Sequence, residues 1–432
     1  MSDFFARRFS LTANNTSVRR EAVAGLTTFL AMAYIAIVNP AILSETGMDF
    51  GAVFVATCIA AAVGSTLMGV LANYPIALAP GMGQNAFFTY AVVIGGGHTW
   101  QTALGAVFIS GIIFVVLSVL PFREWLINAI PRNLKLGMAG GIGLFLGFIA
   151  LQNAGVIVDN PATLVGLGDL TSFAPAMCIA GFALIAALSA RRFSGAVVVG
   201  ILAASIVGWV SGQVTFEGVF AAVPSVAPVA LQLDIVGALQ WSMLTVVLSF
   251  LIVDVFDTAG TLVGVATRAN LLDADHKLPR LRPALLADSG ATVVGALAGT
   301  SSTTSFIESG AGVEAGGRTG LTAIVCGLLF VLCLFLAPLA RSVPAYATAS
   351  ALLFVACLMA RSLADLDWSD ITESAPAVIA AIAMPLAYSI ADGIGLGFIS
   401  YALIKLVSGQ ARQCAPVVYV IAAIFIAKYL FL

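Results

Sequence analysis

The stretch GTSSTTSFIESGAGVEAGGRTG, Gly299 to Gly320, sits between long apolar runs yet carries Glu308 and a series of Ser, Thr and Gly. Lipid offers no partner to a carboxylate or an unpaired backbone amide. Such a segment survives at membrane depth only where protein buries it or where it lines a watery cavity. A glycine-rich, interrupted segment with one acid is what a secondary transporter uses as a substrate site.

The surrounding sequence supplies the membrane. The chain of 432 residues is 60% hydrophobic and 9% charged, whereas soluble domains carry about 25% charged residues. Its apolar runs are continuous rather than alternating, which selects bundled helices over a barrel. At roughly 30 residues per span and loop, the length allows about thirteen to fifteen spans. Runs near 22–43, 50–72, 77–95, 101–121, 133–153, 173–190, 194–212, 238–263, 283–299, 303–316, 319–340, 344–363, 373–390 and 392–408 read as helices. A last run, 414–431, reads equally as a separate span or as half of a broken one. The polar residues 1–21 form an N-terminal segment without a cleavable signal pattern. Residues 22–432 form the membrane domain.

Lys and Arg give the orientation. With the N-terminus in the cytoplasm and spans alternating, Arg123, Arg132, Lys135, Arg191, Arg192, Arg268, Lys277, Arg280, Arg318 and Lys405 all fall on the cytoplasmic side. Glu45, Asp159, Asp169 and Glu217 fall opposite. The expected location is the cell membrane, a bacterial inner membrane. Six cysteines lie in or beside apolar runs without metal spacing and read as small buried hydrophobes. His98 and His276 fall in loops.

An internal repeat is visible. IALAPGMGQNAFFTY (Ile76–Tyr90) matches GALAGTSSTTSFIESGAG (Gly295–Gly312), and one offset in residue number relates Asn85 to Glu308 and Tyr34 to Asp257. Repeat one covers about 22–212 and repeat two about 238–431. Seven spans separate the halves, so the second is inverted.

The candidate chemistry lies in these segments. Asp254 and Asp257 are one turn apart on one helix face, and DTAGT after Asp257 suggests a local helix break at a cavity. Glu308 precedes Ser309 and Gly310, where free N–H groups of a half-helix could donate to a ligand. Asn85 offers two donors and an acceptor to a heterocycle, or alternatively caps a helix. Gly81 and Gly83 permit close backbone approach. Phe87, Phe88 and Phe306 could stack on a flat ring. Asp288 and Asp392 read as break or cap residues, and Glu314 as an ion-pair partner of Arg318. Gly137–Gly141 and Gly143–Gly147 read as close helix packing. GVEAGGRT has phosphate-loop spacing, but Arg318 replaces the lysine and no strand precedes it, so nucleotide binding is rejected.

TTFLAMAYIAIVNP, ALAPGMGQNAFF, VDVFDTAGTLVGV and GTSSTTSFIESGAGVEAGGRTGLTA together resemble the AzgA-like purine permeases of the nucleobase–cation symporter 2 and nucleobase–ascorbate transporter group, over roughly residues 17–431. The resemblance implies an all-α polytopic fold of about 14 transmembrane segments in two inverted seven-span repeats. These form core and gate domains, with segments 3 and 10 broken. It implies proton-coupled uptake of purine nucleobases and no enzyme activity. The motif positions carry over to Asn85, Asp257 and Glu308 as substrate-binding residues, joined by Gly83, Phe306, Ser309 and Gly310. Glu308, Asp257 and Asp254 become the proton-coupling acids. The partners are a purine base, a proton and the bilayer, with a homodimer in the wider group. No cofactor beyond the proton gradient and no metal is expected. The motifs lean toward adenine, with hypoxanthine and guanine open. Rival readings are a carrier of xanthine, uracil or a small anion on the same fold and, remotely, an intramembrane aspartyl protease.

Overall fold

A computed structural model describes residues 7–120, 130–269, 271 and 278–431. Arg123, His276, Lys277 and the first six residues lie outside the described residues. The described chain is helical almost throughout. Helix α1 (Val18–Met32) starts where the Ser17 hydroxyl accepts from Arg20 N, and it continues after Ala33 and Tyr34 as α2 (Ile35–Ser44). Helix α3 (Phe50–Leu67) is capped by Asp49, which accepts from Ala52 N at 2.7 Å. Two segments then interrupt the helical pattern. Strand β1 (Leu78–Pro80) leads into α4 (Met82–Ala86), which widens into π-helical turns over Phe87–Gly95.

Next come α5 (Trp100–Val119) and α6 (Arg132–Asn153). A hairpin of β2 (Ile157–Asn160) and β3 (Leu164–Leu167) joins α6 to α7 (Phe173–Ala190) and α8 (Ala196–Val210). After a short α9 (Ile235–Ala238) come α10 (Leu244–Arg268) and α11 (Leu281–Ala298). Strand β4 (Thr303–Ser305) and α12 (Ser309–Glu314) form the second interruption. The chain ends with α13 (Gly320–Cys333), α14 (Ala337–Arg341), α15 (Ala345–Ala360), α16 (Ile371–Leu386), α17 (Ile390–Val407) and α18 (Pro416–Phe431). The last apolar run is thus a helix of its own. Among the described residues, nine helices are long and apolar enough to cross a membrane.

The helix expected over 303–316 is instead a strand followed by a six-residue helix. Strands β1 and β4 pair antiparallel, Leu78 opposite Ser305 and Pro80 opposite Thr303. Gly81 N donates to Ser302 O at 2.9 Å, and Phe306 N to Ala77 O at 3.0 Å. Each interrupted segment thereby satisfies the other's backbone, which lipid could not do. The break expected after Asp257 is absent, since α10 runs through it without interruption. The Thr258 hydroxyl is spent on Asp288 of α11 and so does not compete for the helix backbone.

Helices α1, α3, α5, α10, α11 and α13 pack around the paired strands. Helices α6, α7, α8, α15, α16 and α17 form a second group, with α15 and α16 lying against α6. Small residues set these approaches. A Cβ on Gly137 would meet Ala377 O at 2.4 Å, and one on Gly143 would meet Ala360 N at 2.7 Å, so α6 packs backbone to backbone on α16 and α15. A Cβ on Gly320 would lie 2.1 Å from Gly69 O. Gly320→Ala is therefore expected to destabilise the approach of α13 to the π-helical turns Met68–Ala72 that follow α3 by about 3 kcal/mol, since backbone cannot yield as a side chain can. A melting midpoint of the detergent-solubilised protein that does not fall would refute this.

Candidate functional site

The paired strands put two short helices head to head, and the candidate residues surround them. Glu308 occupies the position before α12, is half-buried, and accepts a hydrogen bond from Tyr34 Oη at 2.7 Å. Asp257 is also half-buried, on α10, and near enough to Glu308 for their charges to interact. Its carboxylate takes no hydrogen bond from any described residue. Asn85, in α4, is fully buried. Its Nδ2 donates to Asn39 Oδ1 at 3.0 Å, and its own oxygen has no partner among the described residues. Asn85 therefore sits within the helix rather than capping it.

Behind these lie two more acids. Asp254 is fully buried and accepts from Gln84 Nε2 at 3.1 Å and Thr292 Oγ1 at 2.9 Å. Asp288 lies mid-helix in α11, not at a break or cap. It accepts from Thr258 Oγ1 at 2.5 Å and Ser305 Oγ at 2.7 Å. It thereby ties α10, α11 and β4 together. Among the described residues the ion pairs are Lys405–Glu373 and Lys428–Asp392, so none of these four acids meets a cation. Among the described residues, no cluster of three His, Cys, Asp or Glu side chains could hold a metal ion.

Other expectations change. Ser309 Oγ accepts from Ala77 N at 3.0 Å, holding the two interrupted segments together. A Cβ on Gly310 would lie 3.0 Å from Arg268 Nη1, and one on Gly83 would lie 2.5 Å from Ile142 Cγ2, so Gly83 makes room for α6. Phe87 packs edge-on against Phe250 with centroids 4.7 Å apart, and Phe88 is fully buried. Phe306 is 5% exposed. Glu314 is exposed and makes no ion pair with a described residue. Arg318 Nη1 instead donates to the carbonyls of Val313 and Gly317. Asp392 pairs with Lys428 at 2.8 Å, and the cap of α17 is Ser389.

Tyr34, Asn39 and Gln84 are the residues that sequence reading did not assign to the site. An Asn followed by Pro in an otherwise apolar run was the available signal for Asn39, because a buried amide at that depth demands partners.

The two ends of the site differ. Toward the end of the bundle reached by Glu45, the helix groups meet. Tyr90 Oη donates to Glu45 Oε1 at 2.8 Å, Asn153 Nδ2 donates to Tyr90 Oη at 3.1 Å, and Tyr388 Oη donates to Gln152 Oε1 at 3.0 Å. The Tyr388 ring stands edge-on to Tyr90, Phe145 and Phe148. Toward Arg268, by contrast, Gly260, Val263 and Thr267 of α10 are exposed, as is Ile307. A Cβ on Gly260 or Gly264 would touch nothing within 4 Å.

Comparison with known proteins places this arrangement. The adenine permease AdeP of Escherichia coli (strain K12) is 48% identical over 426 residues, covering 99% of this chain and 96% of its own length. The guanine/hypoxanthine permease PbuG of Bacillus subtilis (strain 168) is 46% identical over 436 residues, covering 98% and 99%. Among solved structures, the transmembrane domain of the cyanobacterium bicarbonate transporter BicA superposes with a TM-score of 0.67 at 15% identity. That match covers 86% of this chain and 96% of that one, and it speaks for the fold alone. The resemblance to purine permeases stands, and the protease reading falls. Residues 19–396 match the Permease family, and the chain belongs to that family: it is a membrane transporter, not an enzyme.

Proposed function

We propose that this chain takes up purine nucleobases across the cell membrane together with protons, with adenine favoured over hypoxanthine and guanine. The N-terminus is cytoplasmic, and fourteen segments form two inverted repeats. Residues about 22–212 and 238–431 each contribute one interrupted segment. The antiparallel pairing of β1 with β4 supports this symmetry.

The observation that carries the reading is the pair Asp257 and Glu308, half-buried at membrane depth and without a cation. Two uncompensated carboxylates are costly there. A proton and the N–H groups of a base are partners that satisfy them, with Asn85 completing the cage. No described cation forms an ion pair with these acids, which speaks against a small anion even though the Arg268 guanidinium lies beside Gly310. AdeP, so similar over its whole length, supports adenine; PbuG keeps the oxopurines in play.

In the mechanism, base and proton bind from outside beside Glu308, Asp257 and Asn85. The core, with α10 to α13 and the paired strands, then shifts against the gate formed by α6 to α8 and α15 to α17. The contacts of Tyr90, Asn153 and Tyr388 close the outer end, while the bare face of α10 opens to the cytoplasm. The test is radiolabelled adenine uptake into proteoliposomes under an inward proton gradient, with hypoxanthine as competitor. Accumulation that collapses with a protonophore and resists hypoxanthine supports the proposal. Equilibration without accumulation would sink proton coupling.

A further inference from the structure

The amides of the site are linked in one fixed direction. In α3 the Thr57 hydroxyl donates to the Val53 carbonyl at 2.7 Å, a group that can only accept. Thr57 Oγ1 therefore meets Asn39 as an acceptor, and Asn39 Nδ2 donates to it at 2.7 Å. The second hydrogen of Asn39 goes to Thr300 Oγ1 at 2.8 Å. Only Oδ1 of Asn39 remains for Asn85, which donates to it through Nδ2 at 3.0 Å. The other hydrogen of Asn85 faces Met82 Sδ at 3.9 Å. The carbonyl oxygen of Asn85 is left over, fully buried and without a partner among the described residues. Amide nitrogen and oxygen are ordinarily interchangeable in assignment; the short Thr57–Val53 contact favours this orientation, because a flipped Asn39 would take the Thr57 hydrogen and leave two oxygens 2.7 Å apart.

We propose that Asn39 is a specificity-determining positioning residue, which forces Asn85 to present a hydrogen-bond acceptor that takes the exocyclic amino group of a 6-aminopurine and rejects the oxygen of a 6-oxopurine. The proposal rests on the purine reading of the site. An amino group donates to the waiting carbonyl. A 6-oxo group would set two acceptors against each other in a buried place, and a site built for one polarity discriminates strongly against the other. Thr57 and Thr300 act at one remove, by holding Asn39.

The experiment measures adenine uptake in proteoliposomes and the ratio of the inhibition constants of hypoxanthine and adenine. It compares the wild type with Asn39→Ala, the isosteric double variant Thr57→Val with Thr300→Val, and Thr57→Ser. The wild type prefers adenine, and Asn39→Ala and the double valine variant lose about tenfold or more of that preference, because Asn85 is freed to turn over. Thr57→Ser keeps the hydroxyl and keeps the preference. The double variant preserves shape and so separates polarity from folding. An unchanged ratio in correctly inserted variants, or a wild type that prefers hypoxanthine, overturns the proposal while leaving purine transport intact. A wild type that accumulates neither base removes the purine reading itself, and this proposal with it.

Discussion

Glu308→Gln is expected to abolish accumulation of adenine against its gradient, lowering uptake by about a hundredfold, the scale of losing a charged hydrogen-bond partner in a buried site. The substitution keeps the shape of the side chain, and its amide oxygen can still accept from Tyr34 Oη, now at 2.7 Å from the carboxylate. What changes is the other oxygen. On the proposed reading, it becomes an NH₂ group, a donor where the base also offers a donor, and the side chain can no longer carry a proton. Initial rate and final accumulation in proteoliposomes under a proton gradient measure the two losses separately. A variant that still concentrates adenine as the wild type does would remove Glu308 from both roles.

Glu21→Ala is expected to lower the stability of the whole bundle by about 4 kcal/mol, since several buried donors lose a charged acceptor at once. Glu21 is fully buried in the first turn of α1, yet its carboxylate serves a different helix. It accepts from Arg318 N at 3.0 Å, Thr319 N at 3.2 Å and Thr322 Oγ1 at 2.6 Å. These groups stand at the start of α13, where backbone donors have no helical partner and the helix dipole favours a negative charge. Thermal unfolding in detergent is the check. A midpoint within a degree or two of the wild type would show that water replaces the carboxylate without loss.

Most helices were legible because lipid-spanning runs declare themselves by length. The run 173–190 coincides with Phe173–Ala190, and 133–153 differs from Arg132–Asn153 by one residue. The strand Thr303–Ser305 was not legible. Its partner, Leu78–Pro80, lies in the other half of the chain, and three residues carry no periodicity of their own. Asp288 misled for a related reason. The hydroxyls that satisfy it belong to Thr258 and Ser305 on other elements, so its neighbours in sequence gave no sign of them. Asn85, Asp257 and Glu308 stood out as polar groups in apolar surroundings. Tyr34 did not, because an aromatic at that depth reads as packing until its hydroxyl is placed.

The cluster of Tyr90, Asn153 and Tyr388 has a consequence for inhibitors. On the alternating-access reading, a compound arriving from outside must prise these side chains apart and would trap the carrier open to the exterior. A compound arriving from the cytoplasm would lodge along Gly260 and Gly264, where an added Cβ would touch no described atom within 4 Å, and trap the opposite pose. The two kinds of blocker would compete without sharing a single contact, and each would work from one side of the membrane only.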